Sequence, residues 1–158
     1  MTDGQALFHA SHKNLAATGA AIAETSVSAG RLSMRRQTKP GGAILGLGPK
    51  FLVVPPELET AGEKFIAAVQ AAKSEDTNVF TGKLVLIVEP RLKSATRWYL
   101  VGDPALVPGL EYAYLAGAPG PQIKTFEPHN QDGLLTRVVL DYGAGFTDFR
   151  GWYANPGQ

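Results

Sequence analysis

The chain contains no cysteine, which excludes disulfides, Cys-ligated zinc and thiol catalysis and says little about compartment. It is also short of charge. Acidic and basic residues make up 18% of 158 residues, and 15 basic against 14 acidic side chains leave a formal net charge of +1. Without a field of one sign, dedicated binding to nucleic acid or to an anionic membrane has no compositional support. No apolar run reaches the roughly 18 residues of a membrane helix. The N-terminus lacks the basic, apolar, small-residue order of a secretory leader, so neither spanning nor secretion is expected. HExxH, GxSxG and Walker patterns are missing, and the GLG at 46–48 of AILGLGP lacks the rest of a GxGxxG and precedes a strand instead of following one.

What is plentiful is glycine (18) and proline (11), placed at turns and without a repeat. That pattern predicts many short elements joined by specified turns, in a length suited to one domain over 1–158. The organising stretch is KFLVVPPEL at 50–58. Phe51 to Val54 form a short continuous apolar run with two β-branched residues, as in a buried strand. Pro55 and Pro56 cannot continue a central ladder, but proline suits a first helical turn, where Glu57 and Glu59 also favour the positive end of the helix dipole. Leu58, Ala61, Phe65, Ala68, Val69 and Ala72 recur at helical spacing, predicting a helix over 57–72.

Around this unit, residues 1–25 show weak periodicity. A helix is predicted over 26–38, capped by Ser26 or Ser28 and stopped by Pro40-Gly41-Gly42; Gly30 counts against it. Residues 43–49 read as a hairpin-like return into the strand at 51–54. Later strands are predicted at 84–88 (apolar on both faces, hence buried), 97–101, 110–115 (alternating, hence half-buried) and 122–126. Asp103 is a plausible cap of a short turn before Gly109. Two further strands, 134–142 and 146–153, are expected to form a hairpin about Gly143-Ala144-Gly145. The fold class is α+β: a central mixed sheet flanked by helices, with a β-rich C-terminal half.

Few residues invite a chemical reading. His9 and His12 could share a helix face, but no third metal ligand lies near. Ser11 beside them is a poor triad candidate, since sequence neighbours seldom orient as nucleophile and base. Asp141 and Asp148 would face each other across the expected hairpin, where pairing with Arg137 and Arg150 is the simpler account. A hydrolase of unknown class would need His9, His12 or His129 to converge with Asp132, Asp141 or Asp148 in a concave site. Arg31, Arg35 and Arg36 give the most basic surface. Together with the aromatic Tyr112, Tyr114 and Trp152, and with Arg150, they are the candidates for contact with a neighbouring subunit. No catalytic, cofactor or metal residue is assigned.

Several segments in order carry a resemblance: DGQALFHASHKNLA at 3–16, MRRQ at 34–37, FLVVPPELE at 51–59, NVFTGKLVLIVEPRL at 78–92, WYLVGDP at 98–104, GLEYAYLAGAPGPQI at 109–123 and DYGAGFTDFRGWYANPG at 141–157. The chain resembles the C-terminal half of a tailed-phage major capsid protein of the Mu-like major head subunit family, which in some phages and prophages is fused behind a ClpP-like prohead protease. The resemblance implies an HK97-type capsid fold fragment with no enzymatic activity and no cofactor. It implies mostly an axial-domain core, with the last strands returning toward the peripheral domain. The partners implied are copies of the full-length subunit in pentamers and hexamers of an icosahedral shell, with at most weak contact to packaged DNA and none to membrane. The implied location is the virion capsid, and the host cytoplasm during assembly. An N-terminal arm, an extended loop and a spine helix would lie upstream of Asp3 in a complete subunit, so this chain alone is expected to be monomeric or weakly oligomeric.

Overall fold

A computed structural model describes residues 1, 3–67, 83–130 and 132–158. The chain divides into two compact units, Met1–Gly109 with Thr147–Gln158, and Leu110–Phe146.

The first unit is built on a four-stranded mixed sheet in the order β2-β1-β3-β8, with β1 at Pro49–Val54, β2 at Val85–Val88, β3 at Trp98–Gly102 and β8 at Trp152–Asn155. β1 pairs parallel with β2 and antiparallel with β3, and β3 pairs antiparallel with β8. Parallel neighbours need a crossover, and helix α2, Glu59–Ile66, lies within it. The KFLVVPPEL reading holds. Pro55 precedes a single 3₁₀ turn, Pro56–Leu58, that opens directly into α2. α2 ends at Ile66, where Ala67 turns extended. Residues 68–72 of the predicted helix lie outside the described residues.

One face of this sheet carries the core. Leu52, Val54, Trp98, Leu100 and Tyr153 are buried there, with Leu86 and Val88 packed alongside. Helix α1, Glu24–Arg35, adds Val27 and Met34. It starts two residues before the predicted helix and ends three before its predicted end. Ser26 does not cap it from outside. It sits in the first turn, where its hydroxyl accepts from the Ala23 N–H at 3.0 Å and donates to the Ala21 carbonyl at 2.7 Å. The hairpin-like return is present. Thr38 bridges Ile44, and the Pro40-Gly41-Gly42 turn closes with Gly42 at φ +84°.

Both helices approach the sheet through a glycine. A Cβ on Gly30 would lie 2.7 Å from Leu100 Cδ1 and 2.8 Å from Tyr153 Cε1, and one on Gly62 would lie 2.7 Å from Leu86 Cδ1. The glycine that weakens α1 as an isolated helix is therefore what lets it sit on β3 and β8. Strand β2 departs from its reading as buried on both faces. It is the edge strand, and Val85 and Ile87 face away from the helices and are exposed.

The N-terminal segment is pinned despite its weak pattern. Leu15 bridges Ala154 in parallel, Asn14 and Ala16 exchange backbone hydrogen bonds with Ala154, and Trp98 Nε1 donates to the Ala20 carbonyl at 2.9 Å.

The second unit is a long two-stranded ribbon. Near its base β4, Leu110–Tyr114, pairs with β7, Tyr142–Phe146; farther out β5, Gln122–Phe126, pairs with β6, Leu135–Val139. All pairing is antiparallel. Gly143-Ala144-Gly145 is thus not a hairpin turn. It runs inside β7 opposite Tyr112 and Ala113, without positive φ. The strands predicted at 134–142 and 146–153 do not pair with each other: β6 pairs with β5, and β8 joins the sheet of the first unit. The reading of 110–115 as half-buried also fails, because every residue of β4 is exposed.

Leu52→Ala should cost about 2–5 kcal/mol of stability, read by urea denaturation, because Leu52 is fully buried in the core. Gly30→Ala gains about 1 kcal/mol of helix propensity but overpacks the core at about 1–3 kcal/mol, so a net loss is expected. Gly41→Ala, with open space around it, is the control; a stable Gly30→Ala protein would contradict the close seating of α1.

After β2, Glu89 Oε1 and Oε2 accept from Arg91 Nε at 2.7 Å and Nη2 at 2.8 Å, and the Arg91 N–H adds a third bond. These bonds, the side-chain one foremost, lower the Glu89 pKa from 4.5 to about 2. Between those values the unfolded chain binds the extra proton, so the contribution is present above 4.5 and is lost as pH falls toward 2. Glu89→Gln should show a smaller drop in denaturation midpoint than the parent between about pH 5 and about pH 3, modest because the pair is exposed. Equal drops would show that the pair adds nothing.

Candidate functional site

The histidines of the N-terminal segment serve the fold. His9 precedes a 3₁₀ turn, Ala10–His12, and its Nδ1 accepts from the Ser11 N–H and lies 2.7 Å from Ser11 Oγ. This is a local cap, as expected for residues two apart. His12 is buried, stacked on Phe149 with centroids 3.8 Å apart and planes within 5°. Its Nδ1 faces the Leu7 carbonyl and its Nε2 faces Asp3 Oδ2. The hydrogen bond from His12 holds the Asp3 carboxyl below its ordinary range.

Around His12, Asn14 donates to the Leu7 and Phe149 carbonyls and Gln37 Nε2 donates to the His12 carbonyl, so buried polar side chains tie this segment to the residues just after α1 and to the loop before β8. Sequence reasoning missed Asp3, Asn14 and Gln37. The only cue is an uncommon density of hydrogen-bonding residues in a segment without periodicity.

Among the described residues, no hydrogen bond joins His9, His12 or His129 to Asp132, Asp141 or Asp148. Asp148 binds Arg150, with Arg150 Nη1 donating to Oδ2 at 2.7 Å and the Arg150 N–H to Oδ1 at 2.8 Å. Asp141 lies in the two-residue link between β6 and β7, where its carbonyl accepts from the Leu115 N–H. The charge pairing across a hairpin is therefore replaced by pairing inside one loop. His129 and Asp132 belong to the ribbon tip, where a shallow recess is lined by Glu127, Pro128, Asp132, Gly133 and Leu134. Among the described residues no three His, Asp or Glu side chains are grouped to hold a metal ion.

Of the candidate interface cations, Arg35 donates from Nη1 to the Gly46 carbonyl at 2.9 Å, which fastens the return strand to α1. Arg150 also donates from Nε to the Thr38 carbonyl and lies over the Phe149 ring. Both act within the chain. Arg31 is half-buried on α1 and Arg36 is exposed at its C-terminal end. Trp152 is half-buried against Gly109, where a Cβ would fall 2.1 Å from its Nε1.

The ribbon exposes a row of apolar side chains. Alternation places Leu110, Tyr112 and Tyr114 on one face, and the register with β7 adds Tyr142, Ala144 and Phe146 to that face. Tyr112 is 71% exposed and Tyr142 64%, and the Tyr112 and Tyr114 rings meet edge-on at 5.8 Å. The opposite face holds Glu111, Ala113, Gly143 and Gly145, so it is flat. Farther out, Ile123 and Val138 are exposed on one face, and Phe126 and Leu135 on the other. Exposed apolar side chains gathered on one face in this number are uncommon on a lone monomer.

No curated protein and no solved structure matches the chain. A family model described as phage capsid protein matches residues 1–155. By that match over nearly its whole length, the chain belongs to the phage capsid protein family.

Proposed function

We propose that this chain is a structural part of a phage capsid, and that the ribbon Leu110–Phe146 is a surface by which it packs against other subunits of the shell. The observation that carries the proposal is the ribbon itself. An isolated two-stranded ribbon is marginally stable in water. This one has both faces exposed and a row of aromatic side chains along one of them. Covering that face in an assembly removes the apolar surface from water and supplies the packing that the ribbon lacks.

The finer reading is an HK97-type subunit. The four-stranded sheet with α1 and α2 would be the axial core, and the ribbon would be the part returning toward the periphery. The separation into two units supports that division. Pentamers and hexamers of an icosahedral shell, a location in the virion after assembly in the host cytoplasm, and weak contact with packaged DNA complete the reading. Of the proposed contact residues, Tyr112 and Tyr114 lie on the exposed ribbon face; Arg31, Arg35, Arg36, Arg150 and Trp152, in the first unit, stay in the proposal. A near-neutral net charge fits a role in which packing, not long-range attraction, joins the subunits.

Hydrogen exchange measured against protein concentration tests the proposal. Amides of Leu110–Phe146 should exchange fast in dilute protein and gain protection as sedimentation shows association. The double variant Tyr112→Ser with Tyr142→Ser should weaken that association by at least about tenfold, as loss of central aromatic contacts does, while the melting of the first unit stays unchanged. Ribbon protection that does not change with concentration, with monomers throughout, would overturn it.

A further inference from the structure

The outer half of the ribbon contains a pairing that a free ribbon should avoid. Lys124 on β5 stands directly opposite Arg137 on β6. Like charges at directly opposed positions of an antiparallel pair destabilise it. Neither side chain has an ion-pair or hydrogen-bond partner among the described residues. They share a recess of about 350 Å³ with Ala118, Gln122 and Val139. Phe126 and Leu135, the pair two positions farther along the same face, are exposed beside it. Two cations side by side at an apolar rim form a socket for carboxylates presented by a surface that also covers the rim.

The chain carries a complementary feature. Glu59 at the start of α2, and Glu63 one turn on, are exposed and without an ion-pair partner among the described residues. Glu59 and Glu63 are four apart, a like-charge spacing that weakens a helix. Lys64 is five residues from Glu59 and one from Glu63, so it relieves neither at helical spacing.

We propose that the Lys124–Arg137 recess is a docking socket for a second copy of this chain, receiving the Glu59 and Glu63 face of that copy's α2. The inference rests on the assembly reading above and assigns it a specific contact. Each partner removes the like-charge repulsion of the other. Because the contact joins unlike surfaces it is heterologous, the type that propagates into rings when the rotation closes. A duplex backbone would neutralise the two cations but leave Phe126, Leu135 and Val139 bare, and the chain has no broader basic field to hold it. A protein surface therefore fits the site better than phosphate does.

Sedimentation of the full chain over a concentration and salt series tests this, using Lys124→Glu, Lys124→Glu with Arg137→Glu, and Glu59→Lys with Glu63→Lys. The parent should associate, less so at high salt. Lys124→Glu places an opposite charge across from Arg137, so its melting temperature should hold or rise while its association weakens by about tenfold or more. The Lys124→Glu/Arg137→Glu and Glu59→Lys/Glu63→Lys proteins should each stay apart alone and associate when mixed. A parent that never associates overturns the assembly reading and this contact with it. A parent that associates, with variants that associate equally well or are not restored by mixing, overturns the contact alone. Unchanged association combined with lost retention of duplex DNA in the Lys124→Glu/Arg137→Glu protein overturns it in favour of a phosphate contact.

Discussion

The close approach of α1 to the sheet through Gly30 is the constraint on which the first unit depends. With no side chain at that position, the helix comes near enough for Val27 and Met34 to join Leu52, Trp98 and Leu100 in one buried cluster. Gly62 does the same for α2 over Leu86. Both glycines cost helix propensity, on the order of 1 kcal/mol each, and the burial they permit outweighs it. A single fully buried leucine contributes about 1.5–3 kcal/mol relative to exposure. The result is a two-layer unit in which a few large side chains fill the space between short helices and a four-stranded sheet.

That layer needs its C-terminal edge closed. β8 lies at the end of the sheet order, and the segment around Asn14 to Ala20 runs along it. Asn155, buried in β8, accepts from the Ala20 N–H and from the Gly157 N–H. Gly19 and Gly157 allow the two backbones to meet: a Cβ on Gly19 would fall 1.9 Å from the Gly157 carbonyl oxygen. The first residues of the chain are therefore held by hydrogen bonds and backbone proximity more than by apolar packing. The base of the ribbon is closed in the same way, by the Thr147 N–H donating to the Gly109 carbonyl at 2.8 Å.

This explains which parts were legible in the sequence. KFLVVPPEL was readable because its cues are local: a β-branched run, a double proline without amide donors, then helical spacing. The N-terminal segment was not, because its order comes from partners more than a hundred residues away, such as Asn155 for Ala20. The Gly143-Ala144-Gly145 stretch misled for the opposite reason. Local rules assign paired glycines to a turn, yet here they flatten one face of a strand whose partner, β4, lies about thirty residues back in sequence. The aromatic alternation of β4 was read correctly as a strand pattern. Its exposure was not, since alternation says which side chains share a face and not whether anything covers it.

The exposed ribbon ties these points to function. An apolar strand pair that was meant to fold alone would turn its aromatic face onto the sheet or hide it under a helix. Among the described residues, the buried cluster of the first unit is formed by residues of that unit. The ribbon keeps Tyr112, Tyr142, Ile123 and Val138 in solvent, and it also opposes Lys124 to Arg137. Each of these features costs the free chain stability. On the proposed reading, each becomes favourable against a neighbouring subunit that supplies apolar cover and negative charge. For such a subunit, a ribbon poorly satisfied alone makes assembly the step that completes folding, so that burial of the aromatic face and relief of the cation pair favour the assembled state over the isolated one.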